Sequence, residues 1–257
     1  MAPRATVILP TFGDAPFARW ALASVQMQTV ADLEICVICD GSPPAMVDLF
    51  RSIAAEDSRI RIYTFPKAPR TGEAHRDDVI RETNGGIICY CAHDDLWLPH
   101  HVEAVAETLK EACFTHTLHQ VVQVPGRPTP HDGPIAWVLL ADLSDPDYQE
   151  RMLDGQSFFG LTFAAHTRES YFQLPERWAT TPASHPFTDL YMWRKYLTAF
   201  GPRCRTTAQY TALNFRKIDR ANWPPELRER ELRHYLEEFR QPAYLEALAS
   251  LPRVKMV

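Results

Sequence analysis

The chain has 257 residues, of which 46% are hydrophobic and 23% are charged, and its formal net charge is -5. This composition is ordinary for a globular protein and excludes a disordered or fibrous chain, while the acidic balance argues against nucleic acid as a partner. No apolar run reaches the roughly 18 residues that a membrane span needs, and no signal-peptide core follows the first residue, so we expect a cytoplasmic protein without a membrane span.

Short apolar runs that predict strands alternate with helical patterns through the first 112 residues. The predicted strands cover residues 6–9, 34–39, 60–65 and 87–91, and the helices cover 17–25, 45–55, 73–83 and 102–112. This alternation is typical of an α/β protein with a mostly parallel sheet flanked by helices.

Beyond residue 113 the pattern predicts a mixed sheet, with apolar runs at 118–124, 135–140 and 158–165 and a Pro/Gly-rich loop at 125–134. A polar loop at 175–186 precedes a helix over 188–200, which Thr188 can cap and Gly201-Pro202 ends.

The tail at 225–251 mixes Arg and Glu around apolar positions. This pattern predicts a helix that docks on the domain or on a second subunit, so a homodimer is one candidate assembly. We expect one domain in two halves, at 1–112 and 113–220, followed by a helical tail at 221–257.

The six cysteines fall mostly within apolar strand runs, which favours small buried thiols in a reducing compartment. Cys36 and Cys39 have the spacing of a metal or redox half-site. On a strand, however, their sulfurs would point to opposite faces, so we expect neither use.

Two adjacent carboxylates, Asp94 and Asp95, follow the fourth predicted strand. Acids at the carboxyl end of a buried strand lie where open α/β sheets bind ligands. The pair would repel unless a cation shared the site, which favours a divalent metal that bridges to phosphate oxygens. The alternative is that Asp95 caps the helix that follows Pro99.

Polar segments follow all four of these strands, at residues 10–14, 40–42, 70–76 and 94–95. The carboxyl ends of parallel strands meet at one edge of a sheet, so this order predicts a nucleotide crevice. There Thr11 and Phe12 would face a base, and Asp40 would accept hydrogen bonds from a base or ribose. Arg76 would meet phosphate oxygens, although alone it can equally be a solvated helix residue.

With these segments the chain resembles the family 2 glycosyltransferases of the GT-A fold. The resemblance rests on the motifs at 7–12, 23–29, 40–42, 72–76 and 93–99, is strong over residues 5–110 and continues more loosely to about residue 200. It implies a Rossmann-like mixed sheet and a setting such as bacterial surface polysaccharide synthesis. It also implies a cytoplasmic enzyme, either free or peripheral at the inner face of the membrane.

The resemblance implies that the half at 1–112 binds the nucleotide-sugar and the half at 113–220 binds the acceptor, and it assigns roles to particular residues. It implies that a nucleotide-diphosphate sugar donor is bound by Pro10, Thr11, Phe12, Asp40, Arg70, Arg76 and Asp94. Asp95, with Asp94, would hold Mg²⁺ or Mn²⁺, and Asp95 is preferred as the direct ligand. His93 and Trp97 would neighbour the acceptor or the metal.

The resemblance gives Asp189 the role of the general base that deprotonates the acceptor hydroxyl. The residues alone favour the same role, because the dipole of the helix that begins at this position stabilises a carboxylate. The alternative is ordinary helix N-terminal chemistry.

The implied activity is inverting glycosyl transfer to a hydroxyl of a glycan, a lipid-linked molecule or another acceptor. Two rival functions are a sugar nucleotidyltransferase and a nucleotide-binding protein without catalysis. The loop at 10–14 disfavours the first, because it lacks a Gly-rich, Arg-bearing sequence for a triphosphate. Ala92 supports the second, because the family often has another acid at this position.

Overall fold

The computed structural model describes residues 2–124, 135–140, 142–250 and 254–255. The predicted loop at 125–134 lies outside the described residues. The strands are β1 (Ala5–Phe12), β2 (Leu33–Asp40), β3 (Ile60–Phe65), β4 (Ile87–Tyr90), β5 (Leu96–Trp97), β6 (Phe114–Val122), β7 (Ile135–Leu140), β8 (Ala164–Thr167), β9 (Cys204–Asn214) and β10 (Val254–Lys255). The α-helices are α1 (Ala18–Gln26), α2 (Pro44–Ala54), α3 (Ala74–Glu82), α4 (His101–Thr108), α5 (Pro146–Leu153), α6 (Arg168–Gln173), α7 (Thr188–Phe200), α8 (Pro225–Glu238) and α9 (Pro242–Ser250).

The first half forms the parallel part of the sheet, as predicted. β1 lies between β2 and β4, and β3 pairs with the outer edge of β2, all in parallel register. Every residue of β2 is buried. A strand buried on both faces reads as a continuous apolar run, which is why the sequence pattern located these strands.

The second half continues the same sheet with mixed pairing. β8 runs antiparallel to β4, and β6 lies antiparallel to β8 and parallel to β9. The order along the sheet is β10-β7-β6-β8-β4-β1-β2-β3, with β9 paired to β5 and β6. The expected α/β fold, a mixed sheet flanked by helices with a helical tail, is therefore confirmed, while the boundaries at 112 and 220 stay predictions.

The predicted strand at 158–165 is wrong except at its last two residues. Leu161–Phe163 forms a short 3-10 helix, and β8 begins only at Ala164. The physical reason is that backbone groups of this segment bind side chains instead of a neighbouring strand. The N–H of Leu161 donates to Asp189, and the carbonyl of Thr162 accepts from the indole of Trp97.

The tail helix α8 packs against α1 and closes a second apolar cluster. This cluster joins Leu232, Leu236 and Phe239 of the tail to Leu96 and Leu98, which lie one and three residues after Asp95. The predicted docking of the tail on the domain is thus observed, and it connects the tail to the candidate site.

All six cysteines are buried and free, in line with the sequence interpretation. In the part of the chain that the structure describes, none of the helices has the length and apolar character that crossing a membrane requires.

Candidate active site

A cleft of about 610 Å³ opens at the carboxyl ends of β1 and β4. Seven of the predicted site residues line it, namely Pro10, Phe12, Arg76, His93, Asp94, Asp95 and Asp189. Its other wall is largely apolar and is formed by β6 and the segment before β8, with Val121, Phe158, Phe159, Leu161 and Phe163. The fold therefore brings the aspartate pair and the predicted base into one cavity.

Asp95 is buried and held by three neutral donors. Its Oδ2 accepts from the hydroxyl of Thr162, and its Oδ1 accepts from the Asn214 amide at 2.9 Å and the Phe215 N–H at 3.0 Å. Burial, together with the neighbouring Asp94 carboxylate, raises the pKa of Asp95. The three donors orient this carboxylate without neutralising it, so its ionised form favours a cation nearby.

Asp94 has a cationic partner that the sequence did not predict. Its Oδ2 lies 3.3 Å from Nη2 of Arg228 on α8, and the guanidinium of Arg228 also stacks over the ring of Phe17, 4.4 Å from its centroid. Among the described residues, Oδ1 of Asp94 has no hydrogen-bond partner. That oxygen is free to meet a ligand in the cleft.

His93 lies between the end of β1 and the aspartate pair. Its Nδ1–H donates to the carbonyl of Pro10 at 3.3 Å. The centroids of the His93 and Phe12 rings are 5.1 Å apart, in an edge-to-face arrangement. Burial lowers the pKa of His93, so a neutral imidazole is present at pH 7. In this tautomer Nε2 remains an acceptor for a hydroxyl group.

Asp189 is the second residue of α7, as predicted, and 26% of its side chain is exposed to the cleft. Its Oδ2 accepts from the N–H of Leu161 at 3.1 Å, and its Oδ1 lies 3.4 Å from Nη1 of Arg76. Burial raises the pKa of Asp189 above the ordinary aspartate value, while Arg76 and the Leu161 N–H oppose that rise. A fixed carboxylate with a raised pKa is suited to accept a proton.

Arg76 is buried, with 3% exposure, and is paired with Asp189. Its guanidinium carbon lies 4.4 Å from the ring centroid of Trp178, on which it stacks. The alternative of a solvated helix residue is therefore wrong. Its guanidinium lines the cleft, but its ion pair is with the predicted base, and contact with phosphate oxygens stays a prediction.

Asp40 lies outside the lining of the cleft. Its Oδ1 accepts from the N–H of Ala68 at 2.7 Å, and its Oδ2 pairs with Nζ of Lys67 at 2.6 Å. Gly72, with a φ of +66°, lies so close that a Cβ there would overlap this carboxylate. Asp40 thus holds the loop between β3 and α3. The ammonium of Lys67, in this loop, lies 6.0 Å from the ring centroid of Phe12, which lines the cleft.

Three further predicted residues are also not part of the cleft lining. Thr11 is buried, with no partner for its hydroxyl among the described residues. Arg70 binds the backbone carbonyls of residues 185 and 186, at 2.7 and 3.3 Å, and ties the loop before α7 to the loop after β3. Trp97 is fully buried and stacks on His101, so the prediction that it neighbours the acceptor or metal is corrected to a core position.

The sequence interpretation missed the residues that surround the predicted acids. These are Thr162, Asn214 and Phe215 at Asp95, Arg228 at Asp94, and Arg216 and Lys217 in the cleft wall. A signal was present for Arg228, because α8 buries Arg228, Leu232 and Leu236 at successive i, i+4 positions. A charge at a core position of an amphipathic helix indicates a buried partner.

The side chains present fit a divalent cation that a diphosphate helps to hold. Among the residues the structure describes, no group of three His, Cys, Asp or Glu side chains could bind a metal alone. Asp94, through its free Oδ1, and Asp95, which has no cationic partner among the described residues, offer one or two carboxylates as metal ligands. Mg²⁺ commonly uses one or two carboxylates together with substrate phosphates.

Residues 6–181 match the family described as Glycosyl transferase family 2. Among curated proteins, the succinoglycan biosynthesis protein ExoW of Rhizobium meliloti is 32% identical over 101 residues, which is 38% of this chain and 31% of that protein. The matches to curated relatives span between 20% and 42% of those proteins' lengths.

Two solved structures illustrate the likeness of fold. TarS 1-349 of S. aureus matches 84% of this chain and 61% of its own, with a TM-score of 0.60 and 14% identity. The mannosyltransferase PcManGT of Pyrobaculum calidifontis, solved with GDP-Man and Mn²⁺, matches 99% of this chain and 77% of its own, with a TM-score of 0.54 and 18% identity. The shared architecture is a mixed, largely parallel sheet flanked by helices.

Proposed function

Because the chain belongs to family 2 of the glycosyltransferases, we propose that its cleft transfers a glycosyl group from a nucleotide-diphosphate sugar to an acceptor hydroxyl, with inversion at the anomeric carbon. The observation that carries this proposal is the presence of Asp189 and the Asp94–Asp95 pair in one cavity. Asp189 is suited to take a proton, and the aspartate pair is suited to hold a divalent cation on the donor diphosphate.

In the proposed reaction, the acceptor oxygen forms a bond to the anomeric carbon while the bond from that carbon to the diphosphate breaks. The electron pair leaves on the diphosphate, and the hydroxyl proton passes to Asp189. Arg76 and the N–H of Leu161 hold the Asp189 carboxylate in place through the contacts described above. Such general-base assistance typically contributes about 10²–10⁴-fold to the rate.

The donor diphosphate would lie against the aspartate pair, where Asp94 offers its free oxygen and Asp95 is oriented by its three donors. Mg²⁺ or Mn²⁺, when bound there, supplies positive charge to the leaving diphosphate. Lys217 supplies a second positive charge from the cleft wall, with its ammonium 4.8 Å from the ring centroid of Phe12.

Other parts of the donor and acceptor sites stay predictions. We propose that Thr11, Asp40 and Arg70 take part in donor binding through the loops that border the cleft, although they do not line it. The apolar wall from Phe158 to Phe163 would face the acceptor. A role in polysaccharide synthesis, a cytoplasmic or membrane-peripheral location and a homodimer are likewise proposals.

The test is the replacement of Asp189 by Asn. We expect transfer to fall by about 10²–10⁴-fold, because the amide cannot accept the proton, while nucleotide affinity stays close to that of the wild type. The assay measures nucleoside diphosphate released from a panel of nucleotide sugars with Mn²⁺, with and without candidate acceptors.

Asp48→Asn is the matched control, because Asp48 is exposed on α2 and does not line the cleft. Full activity of the Asp189→Asn variant would remove Asp189 from the role of base. Release of pyrophosphate would indicate a nucleotidyltransferase, and nucleotide binding without any product would indicate a non-catalytic protein.

A further inference from the structure

Arg228 reaches the aspartate pair from the far end of the chain. It lies on the buried face of α8, and 7% of its side chain is exposed. The helix is held in place by Leu232 and Leu236 in the buried apolar cluster, and its Glu229 also pairs with Arg19 of α1 at 2.6 Å. Because the position of α8 is fixed and the side chain is buried, the charge of Arg228 is a permanent part of the site and is poorly screened by salt.

The guanidinium has few partners besides Asp94. Its Nη2 lies 3.3 Å from Oδ2 of Asp94, its face covers the ring of Phe17, and its Nε has no hydrogen-bond partner among the described residues. A buried arginine with a single carboxylate partner contributes mainly charge at that carboxylate. The main effect of Arg228 is therefore on what else Asp94 can bind.

Of the two aspartates, Asp94 alone has a cationic partner among the described residues. Asp94 pairs with Arg228 at 3.3 Å, whereas Asp95 is held by three neutral donors. A divalent cation alone would have to share Asp94 with the guanidinium, so two positive charges would meet at one carboxylate. A cation that arrives with a diphosphate would add little net charge.

We propose that Arg228 is a resident counter-ion that weakens divalent-cation binding at the Asp94–Asp95 pair in the absence of donor, so that metal and nucleotide diphosphate bind more tightly together than apart. This inference rests on the proposed function. It makes Arg228 a positioning residue that acts through Asp94, and it makes the two ligands strengthen each other's binding reciprocally.

Replacement of Arg228 by Gln tests the counter-ion directly. Glutamine keeps a polar side chain but removes the charge 3.3 Å from Asp94. We expect Mn²⁺ affinity without nucleotide to rise by about tenfold, because a carboxylate freed from a cation attracts another one more strongly. A merely structural role for Arg228 would lower that affinity.

The measurement is the free Mn²⁺ signal in electron paramagnetic resonance during a titration, with no nucleotide and then with UDP or GDP. Arg228→Lys keeps the charge and should bind Mn²⁺ as the wild type does. Arg233→Gln is the matched control, because Arg233 lies on the same helix in an exposed pair with Glu237. The double variant Arg228→Gln, Asp94→Asn should lose the gain.

The wild type alone also tests the proposal, which keeps it falsifiable where the Gln variant does not fold. We expect at least about tenfold tighter Mn²⁺ binding with nucleotide than without it. Equal affinities in the wild type, or unchanged or weaker Mn²⁺ binding in Arg228→Gln, would overturn the counter-ion role.

The proposed function fails by a different result, namely no nucleoside diphosphate released from any nucleotide sugar by the wild type. Normal turnover with an unaltered Mn²⁺ titration in Arg228→Gln overturns only the counter-ion role.

Discussion

At the scale of single residues, Asp189 shows how two opposite influences set one pKa. Burial raises the pKa of this carboxyl and the Arg76 guanidinium lowers it, with burial the larger influence. The proposed base therefore becomes protonated at a higher pH than an exposed aspartate does. The acidic limb of the activity profile should report this balance.

Replacement of Arg76 by Gln should move that limb. Loss of the positive charge removes an influence that favours the ionised carboxylate, so the pKa of Asp189 rises further and the acidic limb of kcat/KM shifts to higher pH. Profiles of kcat/KM against pH measure the shift, and Arg76→Lys, which keeps the charge, should leave the limb near its wild-type position. A limb that stays in place in the Gln variant would contradict this account.

Lys217 belongs to the same scale, because it is a cation in the cleft wall without a carboxylate partner in the described chain. Lys217→Ala should weaken UDP or GDP binding by about tenfold or more, since a charged hydrogen bond contributes about 1.5–3 kcal/mol. Binding of the nucleoside alone should not change. Calorimetric titration compares the two ligands, and Lys110→Ala, at an exposed pair with Glu107, is the control. Equal losses for nucleoside and diphosphate would argue against a phosphate contact.

At the scale of elements, the loop between β3 and α3 depends on a close approach of backbone to side chain. Gly72 has a φ of +66° and packs against the Asp40 carboxylate, which in turn holds Lys67 and the N–H of Ala68. A side chain at residue 72 would be strained and would also displace Asp40. The loop conformation therefore requires glycine there.

Gly72→Ala should lower the free energy of unfolding by about 2–4 kcal/mol, as the sum of backbone strain and displacement of Asp40. Gly13 provides the matched control, because its φ is +61° but a Cβ there meets nothing within 4 Å. Gly13→Ala should cost about 1 kcal/mol, from the backbone alone. Urea denaturation measures both, and equal losses in the two variants would show that the Asp40 contact is unimportant for stability.

At the scale of the whole molecule, the tail shares its core with the residues that follow the aspartate pair. Leu232 is fully buried in the cluster with Leu96, Leu98 and Phe215. The tail is therefore expected to unfold together with the sheet in one cooperative transition.

Leu232→Ala should lower the free energy of unfolding by about 2–5 kcal/mol, because it leaves a cavity in a shared core. Ile218→Ala, at a residue 72% exposed, should change stability by less than about 0.5 kcal/mol. Tryptophan fluorescence and circular dichroism follow the urea transition. Two separate transitions in the wild type would instead indicate an independently folded tail.

The four parallel strands and their helices were predictable, because apolar residues repeat locally along the chain at the period of each element. β9 was missed, because its threonine-rich sequence mixes buried and exposed positions. The segment at 161–163 was misassigned, because its backbone binds Asp189 and Trp97 instead of a neighbouring strand.

The sequence by itself determined the family, the α/β architecture, the acids at the end of β4 and the acid at the start of α7. These features follow from local periodicity and short motifs. Only the tertiary structure decided what the acids touch. Asn214 meets Asp95 across 119 residues, and Arg228 meets Asp94 across 134. Contacts at such separations depend on how the sheet and the tail pack, which no local pattern specifies. The partners of the two aspartates, and with them the net charge of the site, are therefore set only in the folded chain.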